Sequence, residues 1–505
     1  MANILIIGGG VSGLSAGIYA QLNGHRATIC EKHKVAGGNL TGWQRGDYHI
    51  DNCIHWLTGT NPNTDTYKTW KDLGALGGVE IYQGDTLYTS EHCGTLLSLH
   101  KDLEKTQKQM LDCSPEDKNE INSFISAVKA LQKLCGVGGK EHNQKGGAGT
   151  MILNSPLLLK YYKMSTGELA ERFSHPTLKR FITSLLGNSF GALALIMVFA
   201  TFCGENGGIP AGGSLKMAER MADRFTSLGG QLLTGKEVAK INRQGGKAIS
   251  VSFSDGTEEK ADYFILTTDP AVAFGKLIDV TMPRQLQKLY HNTAFSRFSS
   301  YHCAFACDTN ELPFSGDYVF ELPQKYHPIL GNAQFAVREY AYEPSFAPSG
   351  KTVIQTISFC EETEARMFIS LRKTDKKSYN YLKNEIAEAC LLALTEKFPQ
   401  LTGKLTCLDV WTPATYHRYT NSEIGSFMSF TFPAKTLPIR VSNRIKGLPN
   451  VILATQWQQS PGGLPIAAEG GKIAIQTILA LEERAKRRAL AKEQKKPLLA
   501  SAATK

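Results

Sequence analysis

Hydrophobic and polar positions along this chain change period several times, and each change marks an element. Ile4–Ile7 is a short aliphatic run that reads as a buried strand. Leu14 to Asn23 then places small and apolar residues at helical spacing, and Gly24 ends that helix as a C-cap. Ala27 to Cys30 reads as a second strand, so the chain opens on a βαβ unit. From Asp102 to Leu134 the spacing predicts charged helix, Gly136 to Gly149 a polar glycine-rich loop, and Leu157 to Phe202 more apolar helix. Residues 75–205 therefore read as a mostly helical insert. Ser214 to Leu228 is an amphipathic helix, followed by strand-like runs at Gln231–Leu233, Glu237–Asn242, Lys247–Ser254 and Ala261–Thr268, with a turn at Asp255-Gly256. Further on, strands are expected at Ser299–Cys307, Gln334–Val337 and Val353–Phe359, and an amphipathic helix at Lys377–Phe398. Val451–Thr455 reads as a last buried strand and Ala467–Leu481 as the final helix; no fixed period repeats.

Composition narrows the class. The 505 residues are 42% hydrophobic and 20% charged, which is globular and ample for several cores. The net charge of +10 is partly local: from Glu482 to Lys505 there are eight Lys/Arg against three Glu. That tail reads either as a solvated, fraying helix end or as a peripheral contact with an anionic membrane surface; nucleic acid is not an expected partner. The eleven cysteines follow no regular spacing, and no secretory leader is read before the first strand, so reduced thiols in the cytoplasm are expected. Cys303 and Cys307 lack a second nearby pair, so no metal site is expected. The most apolar stretch, Gly191 to Phe202, is twelve residues long. A bilayer needs about twenty, so this stretch reads as a buried helix or a cavity wall.

The first chemistry-bearing motif is Gly8-x-Gly10-x-x-Gly13, placed between the first strand and helix. Gly8 permits the turn, Gly10 lets the backbone approach a pyrophosphate, and Gly13 lets helix and strand pack closely; the helix N-terminus faces the phosphates. Glu31 ends the second strand, where a carboxylate accepts hydrogen bonds from ribose hydroxyls and repels a 2′-phosphate. An adenine dinucleotide follows from this constellation.

Further glycine-rich segments extend the picture: Gly37-Gly38-Asn39-Leu40-Thr41-Gly42, Pro210-Ala211-Gly212-Gly213-Ser214 and Pro461-Gly462-Gly463-Leu464-Pro465. With them the chain resembles the phytoene desaturase, carotenoid isomerase and retinol saturase family of flavoproteins over nearly its whole length. The resemblance implies FAD as cofactor. It places Gly37, Gly38 and Asn39 near the pyrophosphate and ribityl chain, Lys32 beside Glu31, and the Val238 backbone at the adenine. It also implies that Gln456, Gly462, Gly463, Leu464 and Pro465 close over the flavin ring, the glycines letting backbone N–H groups and a helix N-terminus face its N1–C2=O edge. Asn39, Cys53 and Gln456 depart from the family, which more often has an arginine, a glycine and an acidic residue there.

His55, in Ile54-His55-Trp56, follows the loop that approaches the flavin and resembles an Ile-His-aromatic run of the saturase-like relatives. It reads as a proton carrier or as a loop-supporting histidine. Phe190, Phe199, Tyr416 and Trp457 are the residues implied on the substrate side, while Glu205 and His417 read as structural. The fold class implied is α/β: a Rossmann-type FAD-binding domain from 1–70, 205–275 and 440–482, and an α+β substrate domain. The latter combines an antiparallel sheet (276–440) with the helical insert (75–205), and a basic C-terminal tail follows at 483–505. The function implied is oxidation, reduction or isomerisation at carbon–carbon bonds of a lipophilic polyene or other unsaturated lipid, with the electron donor or acceptor open. Two other readings share the fold: a flavin amine oxidase, and a non-enzymatic prenyl-lipid escort protein.

Overall fold

The computed structural model describes residues 1–135, 156–331, 333–436, 439 and 441–500; the loop expected at Gly136–Gly149 lies outside them. Among the described residues two large sheets face one another. The first has six strands, in the spatial order Gln231–Thr234, Arg26–Glu31, Asn3–Ile7, Tyr263–Leu266, Leu448–Leu453 and Arg444–Ile445. Its first five strands are parallel and the last pair antiparallel. Strands covered by helices on one face and by a small antiparallel sheet (Val238–Gln244, Lys247–Phe253, Glu258–Lys260) on the other have no wet side. The central strands Asn3–Ile7 and Tyr263–Leu266 are accordingly near-continuous apolar runs rather than alternating ones.

The second sheet has seven strands: Thr406–Trp411, Phe298–Asp308, Lys351–Glu361, Gln334–Glu339, Asp317–Glu321, Thr86–His92 and Thr95–His100. It is antiparallel except where Asp317–Glu321 pairs with Thr86–His92 in parallel. The segment expected to be mostly helical, 75–205, also gives two strands to this sheet. Thr86–His92 and Thr95–His100 form a hairpin around Cys93-Gly94 and extend the sheet. The rest of that segment is helical, in pieces: Leu103–Cys113, Lys118–Cys135, Pro156–Tyr162, Thr166–Ala170, Pro176–Thr183 and Ala192–Cys203. Ala192–Cys203 is the buried apolar helix.

The final helix runs from Leu464 to Ala500, so the basic tail continues it rather than following it. Its first half lies on the Val11–Leu22 helix. A Cβ on Gly471 would meet the Ser12 carbonyl oxygen at 2.4 Å and Ala16 N at 2.6 Å, so the two backbones touch. Ser15 Oγ donates to the Ala468 carbonyl at 2.6 Å in the same contact. This packing carries the start of the last helix to the first βα turn.

Candidate functional site

Both glycine clusters open onto one cavity of about 1620 Å³ between the two sheets. One wall is the C-terminal edge of the parallel strands, represented by Ile7, Cys30, Glu31 and Thr267, which is where open α/β sheets bind ligands. The other is the face of the second sheet carrying His302, Asp317, Val319, Ala336 and Ile357.

The nucleotide end is built by backbone approach. Gly13 packs so tightly on the first strand that a Cβ there would stand 1.9 Å from the Gly8 oxygen. Gly37 N donates to the Gly9 oxygen at 2.8 Å, which draws the second glycine loop onto the first. A Cβ on Gly38 would then stand 3.3 Å from the Gly10 Cα. Glu31 accepts the Gly9 and His33 N–H groups, each at 2.7 Å. Burial pushes its carboxyl up, against those two donors. Lys32 Nζ donates to Asn421 Oδ1 at 2.5 Å, and Lys32 and Val238 line the same end. Asn39 Oδ1 and Thr268 Oγ1 are buried without a hydrogen-bond partner among the described residues, and both line the cavity. Buried polar atoms left open in this way fit a polar ligand that supplies the missing bonds. The glycine cradle, the carboxylate and these atoms together fit FAD.

At the other end, Gln456, Gly462, Gly463, Leu464 and Pro465 line the cavity as expected. The Gly462 N–H donates to the Gln459 oxygen at 2.8 Å and the Gly463 N–H to Gln456 Oε1 at 2.9 Å, so both stabilise their own turn. What faces the cavity is the first turn of the last helix, Leu464 to Ile466, whose leading N–H groups have no intrahelical acceptor. Gln456 also donates from Nε2 to the Phe427 oxygen at 3.3 Å, so it latches two loops instead of reaching for a ribityl hydroxyl.

The middle of the cavity holds the ionisable groups. His55 lines it, with a third of its side chain open to the space (34% exposed). Burial and the Arg338 charge lower its pKa, against the opposing pull of Asp317. His302, on the Phe298–Asp308 strand, is 5% exposed and stacks on Trp411 at 4.6 Å. Burial, with the nearby His55, drops its pKa to about 3, so it is neutral. Tyr416 OH lies 3.1 Å from His302 Nε2, receives the Trp411 indole N–H at 3.2 Å, and lies 3.0 Å from Asn52 Oδ1. Asn52 in turn donates to the Asn39 oxygen at 3.2 Å. Tyr416 is thus on the cavity wall, with its hydroxyl tying the second sheet to the cofactor loop. Burial raises the Cys53 thiol to about 12, so this cavity-lining cysteine is not a thiolate.

Phe190 and Trp457 line the cavity, Trp457 stacked against Tyr290. Phe199 does not: it is fully buried among the helices against Phe124 and Phe181, because its face of the Ala192–Cys203 helix turns to the helical core. Glu205 is exposed at a helix end with φ 55, and His417 Nδ1 pairs with the Ser422 oxygen at 2.7 Å, so both are structural. His302, Asp317, Arg338 and Thr268 are cavity residues that the sequence did not announce.

Relatives agree with this geometry. Prolycopene isomerase 1 of an Oncidium hybrid cultivar is 24% identical over 466 residues, covering 88% of this chain and 77% of that protein. The lycopene-forming phytoene desaturase of a Paracoccus species is 22% identical over 510 residues, covering 94% and 97%. In fold, the chain is similar to an oxidoreductase from Methanosarcina mazei (TM-score 0.59, 16% identity, covering 94% of this chain and 100% of that one). It is also similar to a redesigned putrescine oxidase (TM-score 0.60, 14% identity, covering 95% and 99%). The sequence profile of the flavin containing amine oxidoreductases matches residues 11–479. The chain belongs to that family, and it is an FAD-dependent oxidoreductase.

Proposed function

We propose that this enzyme oxidises, reduces or isomerises carbon–carbon bonds of a lipophilic polyene or other unsaturated lipid, with His55 carrying the proton. The observation that carries this reading is the cavity itself. Between its two glycine-lined ends it is walled by Phe190, Leu193, Val319, Ile357, Phe359 and Phe427, with His55 among the titratable groups that line the middle. Apolar walls bind an apolar chain and hold its carbons against the flavin while excluding water. Bound FAD supplies or takes the hydride. His55 Nε2 takes a proton from the neighbouring carbon in the oxidising direction and returns it in the reducing direction.

The relatives named for carotenoid isomerisation and desaturation support this class of substrate. A flavin amine oxidase is less well supported. Among the described residues lining the cavity the lysines are Lys32, Lys236 and Lys276, all at the nucleotide end. The cytoplasm is the proposed location, with the basic end of the last helix as a peripheral contact to anionic lipid. Co-sedimentation with anionic vesicles at low and high salt tests that contact.

The test of the reaction is product analysis. The FAD-loaded enzyme is incubated with carotenoid precursors, retinoids and unsaturated fatty acids, and products are separated and weighed. A product differing by two hydrogens, or an isomer at constant mass, supports the reading. His55→Ala is expected to lower turnover at least about tenfold with flavin retained. Unchanged turnover removes His55 from the reaction.

A further inference from the structure

The middle of the cavity contains a charged pair that substrate and cofactor binding leave unexplained. Asp317 and Arg338 face each other in register on adjacent antiparallel strands of the second sheet. Their side chains are 14% and 8% exposed and joined through two contacts, Arg338 Nε to Asp317 Oδ1 and Arg338 Nη2 to Asp317 Oδ2, the latter at 2.6 Å. Burial alone would raise the Asp317 carboxyl. The Arg338 charge and its hydrogen bonds, with His55 nearby, outweigh that, so Asp317 is ionised. The guanidinium also donates to the Ile54 oxygen from Nη1 and to the His55 oxygen from Nη2, both at 3.0 Å. The pair is therefore bolted to the backbone of the loop that carries His55, although it belongs to the opposite sheet.

Asp317 Oδ2 lies 4.0 Å from His55 Nδ1. That is about 1 Å longer than an N–H···O bond, so the two groups are close neighbours without being hydrogen-bonded. A buried ion pair of this kind is weak evidence for stability, because desolvation offsets most of its attraction. Its placement against a cavity-facing histidine points to another use.

We propose that Asp317 is the positioning residue of His55: it holds the imidazole proton on Nδ1 and so presents Nε2 to the cavity. Arg338 keeps Asp317 ionised and fixes the loop. When Nε2 takes a proton, the resulting imidazolium lies beside a carboxylate instead of in an apolar wall. His302, a few side chains away on the same wall, has no carboxylate and is neutral. The contrast separates a group built to change charge from one built to keep it. The other charges that bear on His55 are Arg338, bonded to its own carbonyl oxygen, and Asp51 on the strand leading into the loop, while His302 is a neutral titratable neighbour. The proposal rests on the reading of His55 as the proton carrier, and its test does not.

The test is a ¹⁵N-histidine NMR titration of the full-length, FAD-loaded chain, with the His55 signals assigned by their loss in His55→Gln. In the wild type, neutral His55 is expected to carry its proton on Nδ1. In Asp317→Asn its pKa is expected to fall by about one to two units, the size of losing an opposite charge at this range. Asp317→Glu keeps the charge and is expected to restore most of the shift. The wild-type spectrum decides the matter even if the asparagine variant does not fold: a proton on Nε2 overturns the proposal. An unmoved pKa in a folded Asp317→Asn also overturns it. Turnover of His55→Ala judges the reaction separately, so an inert His55 with a shifted titration would sink the functional reading and leave the positioning intact.

Discussion

Gly471 and Ser12 meet backbone to backbone: a side chain on Gly471 would begin 2.4 Å from the Ser12 carbonyl oxygen. The contact joins the two ends of the chain, and through it the Pro461-Gly462-Gly463 turn and the Gly8–Gly13 turn share one cavity. Gly471→Val therefore strains both helices where they position the cofactor. Overpacking of this kind costs about 1–3 kcal/mol. The expected outcome is a lowered thermal midpoint together with a reduced flavin content, read by absorbance per protein. A variant with full flavin content and unchanged midpoint would show that the helices separate freely.

Gln456 holds the Gly463 N–H and the Phe427 carbonyl at once. Removing it in Gln456→Ala loosens the turn over the cofactor and leaves both backbone groups to find other partners. A loss of about 1–2 kcal/mol is expected, which corresponds to roughly a tenfold weaker FAD dissociation constant by fluorescence titration. Unchanged affinity would mean that the turn closes without the latch.

His302 gives a pH signature. Its folded pKa is depressed to about 3, whereas in the unfolded chain it titrates near the ordinary histidine value. Its contribution to stability is thus present above about pH 6.5 and is lost as pH falls towards 3, at up to about 1.4 kcal/mol per unit. Chemical denaturation of wild type and His302→Gln at pH 7.5 and 5 isolates it, because other groups titrate in both. The difference between the two proteins is expected to move by roughly 2 kcal/mol in favour of the variant at the lower pH. A difference independent of pH would show that His302 titrates alike in the folded and unfolded chain, with no depressed pKa.

Phe190 lies just before the Ala192–Cys203 helix and lines the cavity, whereas Phe199 lies within that helix and in the core, so their truncations separate cavity from core. Phe199→Ala empties a fully buried site and is expected to cost about 3–5 kcal/mol of stability. Phe190→Ala opens the cavity wall and is expected to cost less stability while weakening binding of the active polyene. Equal stability losses with no change in binding would contradict the assignment of Phe190 to the wall.

What the sequence revealed were the places where the backbone itself must behave unusually. Gly8, Gly10, Gly13, Gly37 and Gly38 form a fixed pattern at fixed distance from a strand, and a strand-turn-helix reads locally. The pairing of Asp317 with Arg338 does not: it depends on the register of two strands separated by the Gln324–Leu330 turns. The clue was a charged residue closing each of two otherwise apolar runs, Asp317-Tyr318-Val319-Phe320 and Phe335-Ala336-Val337-Arg338. His302 was hidden in the same way, one polar residue in a buried strand whose neighbours decide its charge. The hairpin at Thr86–His100 is not legible in the sequence, because its strands lack a clean alternation and the charged helical pattern after Asp102 follows directly. Phe199 was misplaced because a helix with apolar residues all round does not reveal which face meets a cavity.

The substrate class is decided most directly by the flavin's own absorbance, near 450 nm (approximately, as for oxidised flavins). Oxidised and reduced enzyme are each mixed without oxygen with polyenes, unsaturated lipids and a panel of amines. A polyene or unsaturated lipid is expected to bleach the oxidised band, to restore it from the reduced enzyme, or to emerge as an isomer with the band unchanged, while amines leave the flavin as it was. Bleaching by an amine, with every polyene and lipid recovered intact, would contradict the account.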